Sequence, residues 1–246
     1  AYLTKVTAPD GDEDDCFGWS ISHSGSLLAI GAPWADVGEE SDAGAGYLYR
    51  LEANGSVTHL AKVTAPDSAE DDEYGKSVSV SGSIVAIGAG GTDLDGKEDA
   101  GAAYLYRLEE NGSVSHLATI TAPDGAEDDE FGESVSVSGN ILAVGADEAD
   151  SGKESGAGVA YLYRVEDNDS VTALGKATAP DGDSNDEFGH SVSLSGYRLA
   201  VGAKWAGITA AELSAASNEA RATPPRPLAE LARNSRRGAS GDRRAG

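Results

Sequence analysis

The residues best placed to do chemistry are carboxylates on alternate positions. Asp10, Asp12 and Asp14 stand two apart, and Asp181, Asp183 and Asn185 keep the same spacing. Oxygen donors at the first, third and fifth positions of a loop suit calcium, a hard cation that collects oxygen ligands. Asp67 with Asp71 and Asp124 with Asp128 keep part of this spacing, and none of the four loops has the sixth-position Gly of a calcium loop. A second acidic stretch, Asp93-Leu94-Asp95-Gly96-Lys97-Glu98-Asp99, sets Asp93, Asp95 and Asp99 around a bend at Gly96. Calcium is the cofactor these loops predict. The first set of loops also has a structural reading, in which Asp15, Asp72, Asp129 and Asp186 accept backbone hydrogen bonds and fix the turn. The second stretch has counterparts with Asp36 and Asp42, or Asp150 and Glu154, and its Gly shifts by one. That irregularity predicts a variable surface loop.

Other chemistry finds little support. There is no Gly-x-Ser-x-Gly elbow, and Gly75-Lys76-Ser77 lacks the upstream Gly of a phosphate loop. His59 and His116 occupy one repeated slot, as strand decoration would, while His23 and His190 are isolated. A carboxylate pair for glycoside cleavage should break the repeat described below, and no pair does so conspicuously. The chain reads as a non-enzyme. Asn54-Gly55-Ser56, Asn111-Gly112-Ser113 and Asn168-Asp169-Ser170 match a glycosylation acceptor, and a hairpin turn explains the same residues.

These residues sit on a repeat. Ala-Pro-Asp recurs from Ala8, Ala65, Ala122 and Ala179, always at a step of 57, and an aromatic-Gly pair follows at Phe17, Tyr74, Phe131 and Phe188. Gly-Ala recurs from Gly31, Gly88, Gly145 and Gly202; Tyr-Leu-Tyr-Arg recurs only from Tyr47, Tyr104 and Tyr161. Within a unit, Ser77-Val78-Ser79-Val80 alternates with period two, and residues 84–87 form an apolar run after a turn at Gly82. Ala103-Tyr104-Leu105-Tyr106-Arg107-Leu108 is a third strand, Asn111-Gly112 a turn, and residues 114–121 a fourth strand ended by Pro123. The expectation is an all-β fold of tandem four-stranded antiparallel blades, a partial β-propeller. The units fall near residues 17–66, 74–123 and 131–180, with an incomplete one at 188–206. A superhelical β-array is the alternative.

Composition agrees with a core of small side chains: 246 residues carry 32 Gly, 3 Phe and no Met. Cys16 is the lone cysteine, which rules out an intrachain disulfide. A formal charge of −24 argues against nucleic acid, and no apolar run is long enough to span a membrane. Residues 1–203 hold 10 basic and 38 acidic side chains, residues 204–246 hold 8 and 4. The Ala/Arg/Pro-rich tail, 207–246, predicts a short helix after Thr209-Ala210-Ala211-Glu212 or disorder. It reads as a basic interaction tail or as an unrelated continuation.

Phe131-Gly132, Ser134-Val135-Ser136-Val137-Ser138-Gly139, Leu142-Ala143-Val144-Gly145-Ala146 and Gly158-Val159-Ala160-Tyr161-Leu162-Tyr163 together resemble the FG-GAP repeats of integrin α-chains. The resemblance covers roughly residues 1–206. It implies seven-bladed propellers that serve adhesion and ligand recognition, often with calcium, in secreted or cell-surface proteins (periplasm or outer surface in a bacterium). The family's calcium loop would lie between the Phe-Gly and Gly-Ala elements, where this chain has only the turn Ser24-Gly25-Ser26. Three units and a fragment also fall short of seven, so the chain reads as a piece of a longer polypeptide that opens in a blade's last strand. A four-bladed ring closed by residues 1–8 against the fourth unit is the alternative. The function implied is an extracellular binding or adhesion module that meets a protein or polysaccharide through blade-connecting loops. The alternatives are an accessory targeting domain of a secreted hydrolase and a structural acidic surface protein.

Overall fold

The computed structural model describes residues 4–207. The expected helix after Thr209 and most of the tail lie outside these residues. The described residues form fourteen strands and no helix. In chain order they are β1 (Ile21–Ser24), β2 (Leu27–Ala32), β3 (Ala45–Leu51) and β4 (Val57–Val63), then β5 (Ser77–Ser81), β6 (Ile84–Ala89), β7 (Ala102–Leu108) and β8 (Val114–Ile120). The third group is β9 (Ser134–Ser138), β10 (Ile141–Ala146), β11 (Val159–Val165) and β12 (Val171–Ala177), followed by β13 (Phe188–Ser195) and β14 (Arg198–Ala203). Each group of four is an antiparallel sheet with strands in sequence order, and among the described residues β13 pairs only with β14. Every third-to-fourth strand pair shifts register at the same point, Leu48/Tyr49, Leu105/Tyr106 and Leu162/Tyr163. Such a bulge adds twist where a blade must curl outward.

The alternation of Ser and Val in β5 and β9 divides two jobs. Val78 and Val80 are buried with Leu27, Ala29 and Leu48 of the preceding sheet. The serines point the other way: Ser22 Oγ accepts from Val80 N–H at 3.0 Å, Ser79 Oγ from Val137 N–H at 2.9 Å, and Ser136 Oγ from Leu194 N–H at 2.9 Å. Ser20, Ser77 and Ser134 donate to the carbonyls of Gly75, Gly132 and Gly189. A short hydroxyl suits this seam because the backbones nearly touch. A Cβ placed on Gly31, Gly88 or Gly145 would lie 1.9 Å from the carbonyl oxygen of Gly75, Gly132 or Gly189. Blades therefore stack face to face, propeller fashion, with these Ser-Gly strands innermost.

Each unit is also tied to itself. Phe17, Tyr74 and Phe131 pack edge-on against Tyr47, Tyr104 and Tyr161 at 5.2 to 5.4 Å. Those tyrosines donate to Asp10, Asp67 and Asp124, and Tyr49, Tyr106 and Tyr163 donate to the carbonyls of Thr7, Thr64 and Thr121. Residues 4–8 form no strand and lie along the first sheet, where Val6 and Ala8 meet its core. The expected opening in a last strand, and ring closure through it, are therefore corrected for these residues. Ile21 in β1 is 65% exposed and Tyr197 beside β14 is 71% exposed, so among the described residues nothing covers these apolar side chains at the two ends of the stack.

The candidate binding face

The loop entering each unit is built around one carboxylate, buried in the first three units and half-buried in the fourth. Asp15, Asp72, Asp129 and Asp186 each accept the backbone N–H three residues upstream, at 2.7 to 2.8 Å. This geometry matches the turn-fixing reading. Asp12 and Asp183 supply the donating N–H in two of these bonds. Asp71, Asp128 and Asn185 have φ of 63°. That is the left-handed region, which Asp and Asn tolerate best among side-chain-bearing residues. Asp10 and Asp124 accept from a Tyr hydroxyl and pair with Lys62 and Lys176, and Asp67 accepts from Tyr104. Lys62 and Lys176 hold the carboxyls of Asp10 and Asp124 below the usual range. Asp14 carries no partner in this network.

The loop between the second and third strands is regular, correcting the expectation of a variable one. Asp36, Asp93 and Asp150 accept from the N–H of Asp42, Asp99 and Gly156, six residues on, at 3.0 to 3.2 Å. Bridges close the same small hairpin at Val37–Glu40, Leu94–Lys97 and Ser151–Glu154. The shift of Gly by one changes only which tip residues take positive φ: Gly38 and Gly152 alone, or Asp95 with Gly96. This hairpin is stitched to the next unit's entry loop. Asp71 N–H donates to Ser41, Asp128 N–H to Glu98 and Asn185 N–H to Ser155. Burial, then repulsion from Asp93, Asp128, Glu73 and Glu98, raises the pKa of Asp99. Of the carboxylates expected to ligate calcium, the structure thus brings Asp93, Asp99 and Asp128 near one another, and places Asp71 and Asp99 on one pocket. No three of the expected ligands converge their oxygens on a single point among the described residues.

What the repeat does not explain gathers on this same face. The residue after aromatic-Gly is Trp19, Lys76, Glu133 or His190; the residue after Gly-Ala is Pro33, Gly90, Asp147 or Lys204. The residue before the aromatic is Cys16, Glu73, Glu130 or Glu187. Lys76 is the hub. Its Nζ lies 2.7 Å from Glu73, 3.0 Å from Glu133 and 4.0 Å from Glu130. Burial works against its charge, but Glu73 and Glu133 outweigh burial and raise its pKa. Burial pushes Glu130 up to about 7 despite Lys76, helped by Glu133, Asp147 and Glu148. An open pocket of about 310 Å³ lies here, lined by Asp71, Glu73, Lys76, Gly91, Asp99 and Glu130. Beside it, Trp34 Nε1 donates to Glu73, and Trp34 packs against Trp19 with ring centroids 5.3 Å apart. The two indoles are 37% and 55% exposed.

Sequence reasoning missed Glu133, Asp147 and His190. His190 Nδ1 lies 2.8 Å from Asp147 and 4.0 Å from Glu133, so the histidine is not isolated. These carboxylates do break the repeat, at slots held elsewhere by Trp, Lys, Pro or Gly. Aligning the four copies slot by slot would have found them. The two repeated histidines, by contrast, stack edge-on against Tyr49 and Tyr106. Asn54, Asn111 and Asn168 spend their side-chain oxygens on the N–H and hydroxyl of the Ser two residues on.

Serine-clasped antiparallel sheets in tandem define an all-β repeat protein of propeller-like blades. The chain belongs to the FG-GAP repeat family, whose repeat matches residues 3–49, 57–106, 114–163 and 171–216. No curated protein sequence matches it. Among solved structures it is similar to the computationally designed Ika4 protein, at 15% identity and a TM-score of 0.49, covering 82% of this chain and 92% of that one. Sqt1 from Chaetomium thermophilum is similar at 15% identity and a TM-score of 0.43, covering 85% of this chain and 47% of that one. A hypothetical selenium-binding protein from Sulfolobus tokodaii is similar at 7% identity and a TM-score of 0.38, covering 62% and 38%.

Proposed function

We propose that this chain is a non-catalytic extracellular binding module that recognises a polysaccharide or protein ligand through its loop face, with calcium assisting. One observation carries the reading. Scaffold positions are nearly identical from unit to unit, while the side chains that differ meet on a single face around Lys76. Recognition of one ligand needs such asymmetry, whereas stacking does not. The exposed Trp19–Trp34 pair adds flat apolar surface beside charged groups, and a sugar ring offers the matching mixture of C–H faces and hydroxyls. The raised carboxylates of Asp42 and Asp99 mark where a hard cation would relieve repulsion on the loops.

Affinity electrophoresis through gels containing neutral, acidic and basic polysaccharides, with calcium or chelator, tests this. Retardation on at least one gel, lost in the double variant W19A/W34A, is the expected result. Equal mobility on every gel, together with no retention on immobilised matrix proteins, would refute the module. For calcium, thermal unfolding at matched ionic strength is the check, because a ligand bound only by the folded state must stabilise it by mass action. An unchanged midpoint would discard the cation.

A further inference from the structure

We infer that Glu133, Asp147 and His190 form a binding site for a borderline divalent metal ion of the zinc type at the seam between the third and fourth sheets. This goes beyond the ligand-binding reading and does not rest on it. Glu133 directly precedes β9, Asp147 directly follows β10, and His190 lies on β13, so two neighbouring sheets supply the donors. Their ligand atoms all lie within 4.8 Å of one another. Donors about 2.0–2.2 Å from a common ion sit only ~3 Å or a little more from each other, so small side-chain adjustments would close such a shell.

Two further observations point to a cation. Asp147 is 3% exposed, and its Oδ1 is buried with no hydrogen-bond partner. A buried carboxylate oxygen without a donor is costly, and a metal ion satisfies it directly. The repeat itself provides the second. The three equivalent positions at the first seam are Trp19, Pro33 and Lys76, and at the second they are Lys76, Gly90 and Glu133. Neither can ligate as a trio. Only the third seam holds three donors, and one of its two hydrogen-bond-capable carboxylates is left with a free oxygen.

The donor set selects the metal. Calcium prefers oxygen alone, whereas one imidazole nitrogen with two carboxylates suits zinc, cobalt or manganese. His190 Nδ1 faces both carboxylates, 2.8 Å from Asp147 and 4.0 Å from Glu133. Metal binding requires Nδ1 without its proton, which then resides on Nε2. Lys76 on one side, 3.0 Å from Glu133, and Lys204 on the other, 3.1 Å from Glu187, are the cations already close by. Lys76 is shared between Glu73, at 2.7 Å, and the proposed ligand Glu133, while Lys204 pairs with Glu187. Glu130 and Glu148 add further negative charge beside Glu133 and Asp147, so carboxylates remain in excess of these two cations.

Calorimetric titration of the untagged 246-residue chain with Zn2+, and separately with Co2+, tests the site. The expected result is one saturable site per chain, with a Co2+ absorption spectrum that Zn2+ abolishes. Losing an outer partner of a metal ligand commonly weakens binding about 10–100-fold, so H190A and D147N, which remove ligands, should weaken it at least that much. H190Q, which keeps a polar group at the seam, guards against misfolding and should lose the metal while retaining the unfolding midpoint of the metal-free chain. D99N, which alters the calcium-type loops, should leave Zn2+ binding unchanged. Absence of saturable Zn2+ binding, or binding that survives H190A through the other histidines or Cys16, would overturn the proposal.

Discussion

Asp72 shows how one carboxylate can hold a loop and still cost stability. It is 2% exposed and accepts the N–H of Ala69 at 2.7 Å. Burial raises its pKa to about 6, the Ala69 hydrogen bond works against that rise, and Asp67 and Asp93 add to it. In the unfolded chain the group titrates near its ordinary value, about 3.9. Between those two values the folded chain keeps a proton that the unfolded chain has released. Stability therefore falls as pH rises from about 4 to about 6, and stays lower above that, by an amount on the order of 2 to 3 kcal/mol. D72N keeps an acceptor for Ala69 and removes the charge. Urea unfolding should find D72N more stable than the parent at pH 8, by about 1 to 3 kcal/mol, with the gap closing toward pH 4. A variant that is weaker at pH 8 would mean the carboxylate's charge is needed. The turn role of this Asp was legible because a turn is local. Its burial was not, because the sheet that covers it comes from residues the loop's own sequence does not contain.

At the scale of the strand, the seam depends on the absence of side chains. A Cβ on Gly88 would meet the backbone oxygen of Gly132 at 1.9 Å, and backbone cannot swing aside. On Gly202, the same slot in the fourth unit, a Cβ would come close, among the described residues, only to Ser191, whose hydroxyl lies 2.5 Å away and can rotate. G88A should therefore cost about 4 kcal/mol or more, in the range reserved for severe overpacking, and G202A about 1 kcal/mol or less. Denaturant midpoints of the two variants make the comparison. Equal losses would place the penalty inside the sheet and remove the close approach of blades as its cause. Strands and their order were readable from the alternation of Ser and Val and from Asn111-Gly112, since each is a short-range signal. The partner of each serine was not. Ser79 meets Val137 across 58 residues, and nothing within either strand says that the hydroxyl reaches the next sheet rather than solvent. The Glu133–Asp147–His190 group was hidden for the same reason, with its signal spread over two units as departures from the repeat.

For the whole molecule, charge is the dominant unrelieved term. A formal charge of −24 is carried largely by loops that stack along one face, so many carboxylates titrate in each other's field. Burial first and neighbouring carboxylates second raise Asp42; burial and Asp150 with Asp124 raise Asp129, against the Ala126 hydrogen bond; Glu130 reaches about 7. Each of these groups binds its proton more tightly folded than unfolded, so each adds stability as pH falls through its folded value. Asp10 and Asp124 act oppositely: Lys62 and Lys176 lower them, and their contribution disappears only when pH falls below the ordinary carboxylate range. The two sets define a maximum. In chelator-treated buffer the unfolding midpoint should rise as pH falls from 8 to about 5, then drop below about 4. Added salt at pH 8 should raise the midpoint by screening repulsion over roughly a 10 Å length at 0.1 M, and should do less at pH 5, where fewer carboxylates are charged. A midpoint that climbs with pH from 5 to 8, or falls on adding salt at pH 8, would show that ion pairs rather than repulsion govern this acidic stack.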